Sequence, residues 1–121
     1  MADKYQPEND VKTKINRFLK TWVDCFHFPY SAMWGRAGIP DKLMIQDGRF
    51  IGIEAKKTPL TEGVSLVEPS PVQKLVHKLI RKAGGIVIVI NEMDPIAQLK
   101  REFDKYGIRY NKSSKEKGKK K

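Results

Sequence analysis

The run Ile86-Val-Ile-Val-Ile90 constrains the fold of this chain more than any other feature. Five consecutive β-branched residues favour a strand, and a strand that is apolar on both sides is usually covered on both faces. Gly84-Gly85 lies directly before it and ends a helical pattern. In that pattern Val72, Leu75, Val76, Leu79, Ile80 and Ala83 recur at the spacing of a single buried stripe. Ser70 reads as the N-cap of this helix and Pro71 as its first helical residue. A covered strand that follows a helix points to an α/β sandwich.

The other elements agree with that class. Pro7 suits the first turn of a helix, and Val11, Ile15, Phe18, Leu19, Trp22, Val23 and Phe26 make one apolar stripe after it. Residues 30–34 read as a short strand and residues 35–40 as a loop. Residues 41–46 and 49–56 read as two strands joined by Asp47-Gly48, a strong two-residue hairpin signal. Residues 58–69 read as irregular, with an extended piece near 64–67. A last helix runs from Pro95 to Tyr106 with Ile96, Leu99 and Phe103 inward. The order α-β-β-β-α-β, with this final helix, predicts a central mixed β-sheet flanked by helices. Residues 1–111 form one domain in this reading, and the polar, lysine-rich residues 112–121 a disordered tail.

The hairpin carries the chemistry. With Asp47-Gly48 as the loop, Gln46 pairs with Arg49, and Asp41 then stands opposite Glu54 with Cβ atoms about 4.5–5.5 Å apart. Lys56 is two residues beyond Glu54 and points to the same face. Two facing carboxylates repel, so the pair gains a purpose if a divalent cation lies between them. Oxygen ligands suit magnesium or manganese, and a lysine beside such an ion orients water and stabilises phosphate charge. The plainer alternative is a solvated strand face, because Glu-x-Lys is a common triplet.

Charge and cysteine content narrow the partners. The formal net charge is +10. Half of it lies from residue 112 onward, where six lysines face one glutamate. A basic body and tail favour a polyanion such as nucleic acid, because phosphate contacts release counterions. A single cysteine, Cys25, allows no internal disulfide, and with only His27 and His77 it makes no zinc constellation. No run approaches a membrane span and no secretory segment is visible, so a cytoplasmic protein is the default (host cytoplasm if the source is viral).

Gly38-Ile-Pro-Asp41, a hairpin, Ile53-Glu-Ala-Lys56 and then Gln73 on the next helix resemble the PD-(D/E)XK nuclease superfamily. Within it the sequence is most similar to the VRR-NUC group, over roughly residues 8 to 91. That group is similar to archaeal Holliday-junction resolvases and includes small stand-alone viral nucleases. The resemblance implies a restriction-endonuclease-like core and a metal-dependent DNA endonuclease acting on branched DNA, as a homodimer. It implies that Asp41, Glu54 and the Ala55 backbone carbonyl bind Mg2+ or Mn2+, that Lys56 is catalytic and that Gln73 shapes the site. Glu8 matches the acid such families carry on the first helix, and the resemblance implies it as a further catalytic residue and metal ligand. The sequence departs from the pattern at Ile39, where valine is commoner, and in the long stretch between Lys57 and Ser70 with Glu62 and Glu68.

Several residues keep a second reading. Gln73 lies three residues after Ser70 and completes a capping box. Glu8 is also an ordinary acid in a helix's first turn. His77, one turn past Gln73, reads as structural, as do His27 and Cys25. Tyr30 and Trp34 read as core or dimer contacts before base-stacking groups. Arg36, Lys42, Arg49 and Lys57 are expected around the site, as phosphate contacts. The rival functions are a non-catalytic basic DNA-binding module, a nuclease of the same superfamily with other DNA or RNA specificity, and an adaptor on a decayed nuclease fold. The presence of Asp41, Glu54 and Lys56 together argues against decay.

Overall fold

A computed structural model describes residues 4–28 and 37–111. The expected strand at 30–34, Tyr30, Trp34, Arg36 and the tail from 112 lie outside the described residues. The described residues form β1 (Tyr5–Gln6), α1 (Glu8–Trp22), β2 (Phe26–His27), β3 (Lys42–Gln46), β4 (Arg49–Ala55), β5 (Thr58–Pro59), α2 (Pro71–Lys82), β6 (Ile86–Ile90) and α3 (Pro95–Tyr106). The main sheet has the order β2-β3-β4-β6. Its first three strands are antiparallel, and β6 runs parallel to β4 after the crossover through α2. β1 and β5 pair as a separate antiparallel ribbon. The sheet is therefore mixed and flanked by helices, as the sequence predicts.

One face of the sheet is the main core. Met44, Ile51, Ile53, Ala55, Ile88 and Ile90 pack there against Val11, Ile15, Phe18 and Leu19 of α1 and Leu99 and Phe103 of α3. Each such buried side chain contributes roughly 1.5–3 kcal/mol by leaving water. α2 covers the other face with a smaller contact made by Val76 and His77. β6 is thus covered on both sides, which explains its unbroken apolar sequence.

Three expectations need correction. The stripe predicted for α2 is not buried as a whole: Val72, Leu75 and Leu79 are 50%, 56% and 45% exposed. Periodicity identifies the apolar side of a helix but not how much of that side its neighbours cover. Phe26 does not extend the stripe of α1. Val23 is already extended, and Phe26 lies in β2 with 63% of its surface exposed. The extended piece expected near 64–67 forms no strand, and the irregular stretch instead holds β5 at Thr58–Pro59, where β1 offers a partner.

The hairpin forms with the expected register. Gln46 faces Arg49 and Lys42 faces Ile53. Asp47 and Gly48 both take positive φ, 54° and 78°, as a two-residue turn of this kind requires. The α2 cap also forms as expected. Ser70 Oγ accepts from the Gln73 backbone N, and Gln73 Oε1 accepts from the Ser70 N.

Candidate active site

Two glycines shape the approach to Asp41. Gly38 has φ +91°, and a Cβ there would lie 2.8 Å from both the Val72 carbonyl oxygen and a Val76 methyl. Only glycine lets the chain pass this close to the first turn of α2. Two residues later Pro40 lies on β4, where a Cβ on Gly52 would meet the proline ring at 2.8 Å. Gly38 and Gly52 together seat the Gly-Ile-Pro turn between α2 and the sheet, and this delivers Asp41 to the end of β4. The Ala55 backbone N then donates to Asp41 Oδ2 at 2.8 Å.

Glu54 comes from β4 itself. The β3–β4 ladder ends one pair before it, at Lys42 and Ile53, and its parallel partner on β6 is Val89. Its side chain is buried at 1% exposure. Gln73 Nε2 donates to Glu54 Oε2 at 3.0 Å, so one glutamine both caps α2 and holds the site. The two readings of Gln73 are compatible. Lys56 Nζ lies 3.9 Å from Glu54 Oε2, on the same face as the period-two rule requires. Asp41, Glu54, Lys56 and Gln73 thus meet at the C-terminal ends of the parallel strands β4 and β6, where open α/β sheets bind ligands.

Electrostatics mark this cluster as strained. Burial first, and then the charge of Asp41, pushes Glu54 up to about 8, against the opposing pull of Lys56. Burial also lowers His77, with the charges of Arg81 and Lys56 in the same direction. Carboxyl and imidazole face each other, with Glu54 Oε1 3.6 Å from His77 Nε2. Among the described residues neither of these two buried atoms has a hydrogen-bond partner.

Lys12 on α1 is a member of the site that the sequence reading missed. Its Nζ lies 3.3 Å from Asp41 Oδ1 and 3.4 Å from Glu8 Oε2. Burial works against the Lys12 charge, but Asp41 and Glu8 outweigh it and raise its pKa. Glu8 therefore reaches the cluster through Lys12. A lysine four residues after Glu8 was visible as a helical ion pair, but its second carboxylate lies on another element. His77 was likewise visible only as a lone helical histidine.

Of the basic residues expected around the site, Lys57 adjoins it in sequence and rests its ammonium over the Tyr5 ring at 5.2 Å. Lys42 and Arg49 do not surround it. Lys42 pairs with Ile53 and leaves the sheet on the face opposite Glu54, where its charge acts on Cys25 and His27. Arg49 lies roughly 17 Å away along β4 and donates to the carbonyls of Tyr106 and Gly107 at the end of α3. Alternation and strand length decide both placements.

The chain is similar in fold to a solved structure described as a "VRR_NUC domain protein". The TM-score is 0.58, over 87% of this chain and 93% of that one, at 21% identity. The fold is VRR_NUC-like. No protein-family model and no curated protein matches the chain. Among the described residues, no helix of this VRR_NUC-like fold is long and apolar enough to cross a membrane.

Among the described residues no group of three or more His, Cys, Asp and Glu side chains is placed to hold a metal ion. Two carboxylates do converge, and one buried oxygen, Glu54 Oε1, is unpartnered. Magnesium uses one or two carboxylates and keeps several waters, so this pair fits a hard divalent ion.

Proposed function

We propose that this chain is a divalent-metal-dependent DNA endonuclease that hydrolyses phosphodiester bonds with Mg2+ or Mn2+. The observation that carries the reading is a buried glutamate held against a second carboxylate, beside a lysine, at the open end of the sheet. A sheet gains nothing from facing acids alone. Asp41, Glu54 and the Ala55 carbonyl are the groups that would hold the ion. When bound, the ion supplies a more acidic water and a polarised phosphodiester. The protein's own groups do the rest. Gln73 fixes Glu54, and Lys56 orients the phosphate and the attacking water. Lys12 neutralises Asp41 and Glu8, and Lys57 stands ready at the rim for a neighbouring phosphate. The fold likeness supports the same reading.

The finer form is a homodimer selective for branched DNA, as the sequence resemblance implies. The test is cleavage of labelled four-way-junction, flap, duplex and single-stranded DNA with magnesium, manganese or EDTA, for wild type and Lys56→Ala. The expected result is metal-dependent cutting that the substitution removes, with the junction cut fastest. Gel filtration should give a dimer. Tight, salt-sensitive binding without cutting on any substrate would instead identify a basic DNA-binding module.

A further inference from the structure

The groups assigned above leave one pair without a role. Glu54 Oε1 and His77 Nε2 are buried side-chain atoms with no hydrogen-bond partner, and they face each other at 3.6 Å. That distance is too long for a hydrogen bond, but a shift of about 0.6 Å would make one. His77 lies one helical turn after Gln73, so both side chains leave α2 on the same face. Gln73 already donates to the other oxygen of the same carboxylate, Glu54 Oε2, at 3.0 Å. Its amide cannot turn freely, because its own oxygen accepts from the Ser70 N.

We propose that His77 is a positioning residue: its Nε2–H and the Gln73 amide clamp the two oxygens of Glu54 from α2. Each carboxylate oxygen has two lone pairs, so a donor on one leaves the other for the metal. The clamp fixes the plane of the carboxylate and so the direction in which it meets the ion. His77 touches neither metal nor DNA. The groups facing it are Glu54, Lys56, Asp41 and, from its own helix, Arg81. A neutral imidazole has one N–H to give, and its Nε2 is the nitrogen on the Glu54 side. The inference rests on the metal-site reading above. Groups that orient a metal ligand in this way typically govern metal affinity 10- to 100-fold.

The test is titration of the full chain with manganese by calorimetry, on wild type, His77→Leu and His77→Gln, with the melting temperature of each. His77→Leu should weaken binding by roughly 10- to 100-fold. His77→Gln keeps a donor and should recover most of the affinity. Wild-type affinity in His77→Leu would overturn the proposal, as would equal losses in both variants. If His77→Leu fails to fold, or if wild type binds no manganese, nitrogen NMR of the wild-type imidazole decides. The proton of the neutral imidazole should sit on Nε2, and Glu54→Gln should shift that resonance. A proton on Nδ1 would sink the clamp whether or not a metal binds. Absent manganese binding with the proton on Nε2 would fault the metal reading alone.

Discussion

The two ends of the β3–β4 hairpin are built from similar polar residues and have opposite characters. At the turn end almost every polar group is matched. Gln46, buried, donates to the carbonyls of Asp24 and Arg109 and accepts from the Arg109 N. Asp47 takes both arms of the Arg109 guanidinium at 2.9 and 3.0 Å, which lowers its pKa. Arg49 satisfies the last carbonyls of α3. At the open end two acids face each other, one of them buried, and two buried polar atoms have no partner. The turn end uses polar chemistry to fasten α3 and the chain around Arg109 to the sheet. The open end keeps unmet valence, and unmet buried polarity persists in folded proteins mainly where a ligand or reaction uses it.

This contrast can be broken at either end. The largest effect belongs to the open end. Asp41→Asn and Glu54→Gln should each reduce metal-dependent cleavage by about 10³-fold or more, since each removes a charge that holds the ion. Both proteins should remain folded, and single-turnover cleavage of the preferred DNA substrate measures the loss. An active Glu54→Gln would erase the distinction between the two ends.

Next comes the buried amide of the turn end. Gln46→Ala strips three hydrogen bonds and strands the Arg109 N and two carbonyls, at a cost of about 2–3 kcal/mol in urea unfolding. Cleavage per folded molecule should not change. Equal damage to activity would show that the ends are coupled.

The third prediction concerns pH. Glu54 rises from its ordinary 4.5 to about 8 in the folded protein. Below pH 4.5 it is protonated in both states and its stabilising contribution is complete. As pH rises toward about 8 the unfolded chain releases this proton first, so stability is lost across that window. In EDTA the wild type should lose about 2 kcal/mol or more relative to Glu54→Gln between these limits, and magnesium should flatten the difference. Parallel pH profiles for the two proteins would count against a strained carboxylate.

The smallest effects come from the exposed ion pairs. Lys12→Ala frees Asp41 from a competing cation and should tighten manganese binding a few-fold, read by calorimetry, with stability changed by no more than about 0.5 kcal/mol. Arg109→Ala, at the other end, should leave manganese binding and cleavage untouched. A change in metal affinity from Arg109→Ala would mean that the turn end is not the passive half of the hairpin.

The sequence alone determined what depends on neighbours along the chain. Asp47-Gly48 set the hairpin register, and the alternation of β4 put Lys56 on the face of Glu54. Ser70, Pro71 and Gln73 marked the start of α2, and the β-branched run of β6 announced a covered strand. These features follow from turn geometry, a period of two and local capping, which act over a few residues.

Only the tertiary structure decided what depends on the meeting of distant segments. It brought Lys12 from α1 to Asp41 and His77 from α2 to Glu54. It sent Arg49 to the end of α3 and left Val72, Leu75 and Leu79 uncovered. It also gave Gly38 and Gly52 their purpose, as places where α2 and Pro40 come too close for a side chain. The physical reason is that burial, and with it the shift of Glu54 and the silence of its second oxygen, belongs to no residue by itself. It arises when separate elements exclude water from the same small volume.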